Sequence, residues 1–254
     1  MKKAIIGIVI AAVIACGGYG IYRGVSNKKS TAKVASQQLD TKATAKAGAT
    51  ATTATTTTSH GEASTTVTPD QALNLLKEGN KRFVEDKSQP NNVDAKRRKE
   101  LESGQHPYAT IVSCSDSRVT PALVFNAGLG DIFDVRLAGD VVDDSALGSI
   151  EYAVDHLHTP LIVVMGHEKC GAVTAAYDDV VKGQKAHGHV EDLVDEIKPA
   201  INKNGTVDDA IRKNAENVAN EIEKDPVVAQ AIKAGKLKVV TAYYDLDGTV
   251  QFNS

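Results

Sequence analysis

YATIVSCSDSR (residues 108–118) and LIVVMGHEKCG (residues 161–171) are the two stretches whose reading decides the fold. Each begins with a short apolar run, residues 108–113 and 161–165, that is too brief to span a membrane as a helix. Runs of this length and composition read as strands buried on both faces of a parallel sheet. Each run ends on a polar motif: Cys114-Ser115-Asp116-Ser117-Arg118 after the first, His167-Glu168-Lys169-Cys170 after the second. In open α/β sheets, ligands collect at the carboxyl ends of the strands. Both motifs therefore stand where one shared site is easily built.

Working outward, the rest of the folded region follows the same alternation. Thr68-Pro69-Asp70-Gln71 is a capping box with Pro at the first helical position, opening a helix that runs to about residue 84. A second helix is expected over 93–103, strands over 108–113, 131–137 and 161–165, and helices over 145–156 and 172–182. Further helices are expected over 189–202, 207–223 and 226–234. Strands over 236–244 and 249–252 are joined around Asp247-Gly248, a good turn dipeptide. Strands alternating with helices imply an α/β fold, a mainly parallel central sheet flanked by helices with an antiparallel edge strand.

The motif spacings carry chemistry. Cys114 and Asp116 are two apart, so extended backbone points both side chains the same way. His167 and Cys170 are three apart, with Gly166 and Gly171 supplying the backbone freedom of a tight strand-to-helix turn. Two thiolates, one imidazole and one carboxylate form a complete tetrahedral set for Zn²⁺. A single Cys or His would read as an ordinary buried residue. Four ligand-type residues in two clusters at predicted strand ends favour a metal site over packing. Cys114, His167 and Cys170 would hold the ion, with water or Asp116 in the fourth position. Alone, Asp116 and Arg118 would read as an ion pair steadying the loop. Beside a metal thiolate, the pair bears on coordination.

These residues also carry a family resemblance. CSDSRVTPALVFNAGLGDIFDVRLAGDVVDDSALGSIEYAVDHLHTPLIVVMGHEKCGAV (residues 114–173) resembles a β-class carbonic anhydrase. The likeness extends upstream through LNLLKEGNKRFVEDK (73–87) and downstream to AYYDLDGTVQF (242–252). The resemblance implies zinc-dependent, reversible hydration of CO₂ to bicarbonate and a proton, by attack of a zinc-bound hydroxide whose parent water has a pKa lowered towards about 7. It implies that Asp116, held off the metal by Arg118, accepts a hydrogen bond from the bound water, or, once released, ligates zinc and closes the site. It further implies substrate contacts from Gln105, the Gly171 backbone, Phe133 and Tyr152, the two aromatics coming from a partner protomer. A homodimer or higher homo-oligomer is therefore expected, with CO₂ and bicarbonate as its small-molecule partners.

Some positions depart from the family pattern. Pro121-Ala122 replaces a Pro-Glu pair, Asp140 stands where Asn is frequent, and Ile111 stands where bicarbonate-regulated relatives carry Trp. Arg136 and Tyr243, which match other parts of that regulatory pocket, are present. The open, water-bound site is the expectation. None of His106, His156, His158, His187 and His189 is singled out as a proton shuttle. Alternatives on the same residues are a COS or CS₂ hydrolase and a zinc-binding domain without turnover.

Composition limits the other readings. The 254-residue chain has a formal net charge of −3 and no Trp, which argues against a nucleic-acid-binding surface. Lys2 and Lys3 precede an apolar stretch over residues 4–15, so residues 1–25 read as a targeting segment. Val13-Ile14-Ala15-Cys16 resembles a lipoprotein cleavage box, while apolar character running on to about residue 22 suits an uncleaved anchor. Either way the expected protein is exported and membrane-tethered, with its catalytic domain outside the cytoplasm. Residues 26–66, rich in Ala and Thr, read as a disordered linker that cannot bury enough surface to offset its entropy. Residues 67–254 form the expected catalytic domain. Of the three cysteines, only Cys114 and Cys170 fall in that domain, and a disulfide between them is the competing explanation in an oxidising compartment.

Overall fold

The computed structural model describes residues 67–89 and 92–253, so the expected leader (1–25) and linker (26–66) lie outside the described residues. The chain runs α1 (Pro69–Val84), α2 (Ala95–Glu100), β1 (Ala109–Ser113), α3 (Pro121–Val124), β2 (Ile132–Arg136), α4 (Asp144–Asp155) and β3 (Leu161–His167). It continues through α5 (Gly171–Lys182), α6 (His189–Ile197), α7 (Val207–Ile222), α8 (Pro226–Lys233), β4 (Lys238–Tyr244) and β5 (Val250–Asn253).

The start of α1 follows the capping-box reading. Thr68 Oγ1 accepts from the Gln71 N–H at 3.3 Å, and Gln71 Oε1 accepts from the Thr68 N–H at 2.9 Å. Most elements fall within one to three residues of their expected bounds, and two differences are larger. The helix expected over 189–202 stops at Ile197 and turns through a short 3₁₀ segment at Lys198–Ala200. Pro199 lies in that segment and has no N–H with which to continue the ladder. The four-residue α3 was not expected; Pro121 at its first position starts it, but one turn is too short to show a period.

The sheet order is β2-β1-β3-β4-β5, with every neighbouring pair parallel except β4–β5. The chain leaves β1 towards β2 on one side and returns to β3 on the other. The crevice where connections diverge thus opens at the carboxyl ends of β1 and β3. Both strands are wholly buried, and side chains alternate between the two layers. Ile111, Val163 and Met165 pack with Leu76 of α1 and Phe125 just after α3. Val112, Ile162 and Val164 pack with Ile150 of α4, Val218 and Ile222 of α7 and Val228 of α8. A third cluster joins α5, α6 and α7 around Cys114 and Cys170, and so surrounds the site rather than the sheet centre.

Two residues of α1 lock that helix in place. Gly79 lies against α3 so closely that a Cβ would sit 1.8 Å from the Phe125 carbonyl oxygen. Beside it, the buried Asn80 donates to Gly248 O at 2.8 Å and Val124 O at 3.2 Å, and accepts from the Val250 N–H at 3.0 Å. Among the described residues no helix is long and apolar enough to cross a membrane.

Candidate metal centre

Cys114 follows β1 directly, His167 is the last residue of β3, and Cys170 is the N-cap of α5. These three buried residues present one ligand atom each, all within 4.8 Å of one another. The turn between the last two is tight enough to put Lys169 at φ 56°. Both cysteines are free thiols.

His167 has its tautomer set by the backbone. Its Nδ1 lies 2.9 Å from the Glu168 carbonyl oxygen, an acceptor, so Nδ1 carries the proton and Nε2 the lone pair. Nε2 is buried and has no hydrogen-bond partner. A buried, unpartnered imidazole nitrogen facing two thiols is the donor set a thiophilic divalent cation requires, and the arrangement fits one.

The sulfurs are electrostatically unequal. Contact with the Cys170 thiol and then the His167 imidazole, together with the Gly139 and Asp116 backbone N–H groups, outweighs burial and holds Cys114 well below the usual thiol range. Cys170 is pushed above it, by that same contact and by burial. Cys114 is thus the first thiolate. Gly139, whose N–H lies 3.3 Å from Cys114 Sγ, sits at φ +73°. Asp140 follows at φ 49°, fully buried, and burial plus the Cys114 charge push its carboxyl up to about 7.

Asp116 stands apart from the three-residue cluster. Oδ1 accepts from the Arg118 backbone N–H and from Arg118 Nε, both at 2.9 Å, and Oδ2 accepts from Arg118 Nη2 at 2.7 Å. These hydrogen bonds hold its carboxyl well below the usual carboxylate range. Arg118 Nη2 also reaches the Lys169 carbonyl at 3.4 Å, so one guanidinium touches both motifs. Arg136 fixes the first motif from behind, donating to Cys114 O at 3.0 and 3.1 Å and to Asp116 O at 2.8 Å. Tyr243, buried, donates to Asp208 Oδ1 at 3.0 Å beneath the Arg212 guanidinium.

Residues 109–250 match the family model described as carbonic anhydrase. The sequence is 41% identical over 185 residues to carbonic anhydrase 2 of Mycobacterium tuberculosis, covering 70% of this chain and 89% of that protein. It is 40% identical to the carbonic anhydrase of Mycolicibacterium smegmatis, covering 73% and 94%. The Coccomyxa β-carbonic anhydrase, solved in complex with acetazolamide, superposes with a TM-score of 0.56 at 28% identity, covering 71% of this chain and 85% of that one. One of two tetrameric β-carbonic anhydrases from Sordaria macrospora gives a TM-score of 0.55 at 26% identity, covering 61% and 84%. The chain belongs to the β-class carbonic anhydrases.

The other residues that the resemblance marked are spread over this carbonic anhydrase fold. Gly171 begins α5 beside the cluster, and a Cβ there would meet nothing within 4 Å, so packing does not demand a glycine. Gln105 is exposed and precedes β1, at the end opposite the cysteine. Phe133 pairs in register with Thr110, four residues before Cys114, which places it on the order of 13 Å back along the strand direction. Its ring lies 6.4 Å from that of Tyr152, which is 46% exposed. Gln105 and Phe133 thus lie back from the carbonic anhydrase cluster of their own chain, and Tyr152 groups with Phe133. Sequence reasoning also missed two groups that hold the site, Asn214 and the Arg136 grip on backbone carbonyls.

Proposed function

We propose that this protein hydrates CO₂ reversibly at a Zn²⁺ ion held by Cys114 Sγ, His167 Nε2 and Cys170 Sγ, with the fourth position open. The observation that carries this reading is the Asp116–Arg118 clasp beside a three-ligand cluster: three protein ligands plus a free position is the pattern of catalytic rather than structural zinc. Bound Zn²⁺ supplies a water acidified towards neutral pH, the nucleophile for CO₂.

The chain's own residues orient and exclude. Asp116 Oδ1 already accepts two hydrogen bonds, whereas Oδ2 accepts one and keeps a lone pair for a proton of the attacking water. With Arg118 in place the carboxylate stays ionised through the neutral range, so it acts as a fixed acceptor and not as an acid. Gln105, Phe133 and Tyr152 are the substrate-side residues in this reading, and they serve the site of a second copy. Their distance from their own cluster supports this. So do the edge position of β2, the exposure of Tyr152, and Leu123, which is 65% exposed. Assembly as a homodimer or larger homo-oligomer follows from it.

Membrane tethering outside the cytoplasm, as a lipoprotein or through an anchor, belongs to the same proposal and rests on residues 1–25 alone.

Stopped-flow CO₂ hydration by the full chain at one equivalent of zinc, from pH 6 to 9, tests the reading. Turnover at neutral pH is expected. Activity confined to alkaline pH would place Asp116 on the metal at rest and overturn the open-site part. No CO₂ turnover at any pH, with zinc bound, would overturn the reaction itself.

A further inference from the structure

Asn214 sits in the middle of α7 on a face otherwise made of Ala210, Ile211, Ala215 and Val218, and only 2% of it is exposed. A polar side chain in such surroundings is unfavourable unless its hydrogen bonds are made. Asn214 Nδ2 donates to the Gly139 carbonyl at 2.8 Å and to Asp140 Oδ2 at 3.3 Å. Both acceptors belong to the turn that follows β2.

That turn is strained in a specific way. Gly139 and Asp140 are consecutive residues at φ +73° and +49°, and the second is not a glycine. A side chain in place of the glycine would be strained by the positive φ and would need Ile197 Cδ1, 2.6 Å from its Cβ, and Ala172 Cβ, 3.0 Å away, to give way. In this conformation the Gly139 N–H lies 3.3 Å from Cys114 Sγ, while the Asp140 N–H closes the turn on Leu137 O at 3.1 Å. Asn214 holds the opposite end of the same residue. A strained backbone persists only where its surroundings over-determine it. Without the amide, the carbonyl is released and the positive φ of Gly139 can relax; that rotation about the N–Cα bond shifts the preceding peptide plane, and with it the N–H, off the sulfur.

We propose that Asn214 is a positioning residue of the metal centre, holding the Gly139–Asp140 turn so that the Gly139 N–H stays on Cys114 Sγ and sets how that sulfur donates to the metal. This rests on the reading of Cys114 as a metal ligand. α7 thereby tunes a site to which it contributes no ligand, as partners outside the ligand set commonly do. The geometry involves one hydrogen bond per link: amide to carbonyl, then N–H to thiolate.

The test uses the full chain loaded with Co²⁺, whose thiolate-to-metal charge-transfer absorption reports sulfur donation directly. In N214L that band moves to longer wavelength, because a thiolate that has lost an N–H donor is easier to oxidise. Transfer of the metal to a chromophoric chelator shows an affinity loss of about 10- to 100-fold. N214L leaves the Asp140 carboxylate without its amide, so the same step is repeated in a D140N background, where no buried charge is stranded. The same shift and loss are expected there. A folded N214L protein in either background with band position and affinity unchanged overturns the proposal. Failure to fold in both backgrounds overturns it as well, by making Asn214 a general packing residue. A wild-type chain that takes up no cobalt overturns instead the reading of the cluster as a metal site.

Discussion

Replacing Arg118 by Ala separates geometry from charge at the candidate site. Asp116 receives three N–H donors, two of them from the Arg118 side chain and one from its backbone. R118A removes the two side-chain donors, leaving Oδ1 with a single hydrogen bond and Oδ2 with none. The carboxylate then pivots about that one bond, and Oδ2 leaves the position from which the proposed mechanism has it orient water. A displacement on the order of 1 Å at a reacting group costs about 100-fold in rate, so kcat/KM for CO₂ hydration should fall by about that factor. Protonation is not the cause. Arg118 holds the Asp116 carboxyl below the usual range, and losing that hold returns it towards about 3.9, still ionised from pH 6 to 9. The loss should therefore be nearly flat across that pH interval. R118K restores a point charge but not the two-pronged contact, and should recover about tenfold at most. Stopped-flow hydration, with bound metal quantified in each variant, gives the numbers. A metal-replete R118A enzyme within threefold of wild type, or one whose deficit grows as pH falls towards 6, would refute the reasoning.

Three further outcomes are expected. C114S should lose most of its bound metal together with activity, since the sulfur it removes is the one the site holds as thiolate; metal analysis after dialysis checks this. N80L should destabilise the fold by about 2–4 kcal/mol, because it strands two buried carbonyls and one N–H, with urea unfolding as the measurement and unchanged kcat in the folded fraction. Asp179, a buried carboxylate paired with Lys198 and Lys185, has its pKa lowered first by Lys198 and then by Lys185. A depressed folded-state pKa contributes stability that is complete above the unfolded value near 4 and lost as pH falls through the folded one. In D179N that contribution is absent, so the acid limb of thermal stability should be shallower below about pH 4 than in wild type; an equally steep limb would count against the assignment.

The parts of this molecule legible in its sequence are those with local signals. The apolar runs that became β1 and β3, the two motifs at their ends and the Thr68 capping box all declare themselves within ten residues. β3 runs two residues further than its apolar run because Gly166 and His167 still pair with Tyr243 and Tyr244. What stayed hidden was long-range polar contact. Asn80 and Asn214 look like solvated helix residues in sequence. Their partners lie 44 to 170 positions away, a separation that no periodicity reports. Arg136 carries the same lesson. Matched to a regulatory pocket on resemblance, it spends its donors on the carbonyls of Cys114 and Asp116.

The loop between His167 and Cys170 is held by the last strands of the chain. The Glu168 N–H donates to Tyr244 O at 2.8 Å, and Glu168 Oε2 accepts from the Leu246 N–H at 3.1 Å. During synthesis all three cluster residues precede those partners, the last of them, Cys170, by about seventy-five positions and Cys114 by about 130. A ribosome-bound chain can thus display both cysteines and the histidine yet lack the strand that fixes their loop. These two hydrogen bonds of the metal-centre loop can form only after the carboxyl-terminal hairpin has been made and docked.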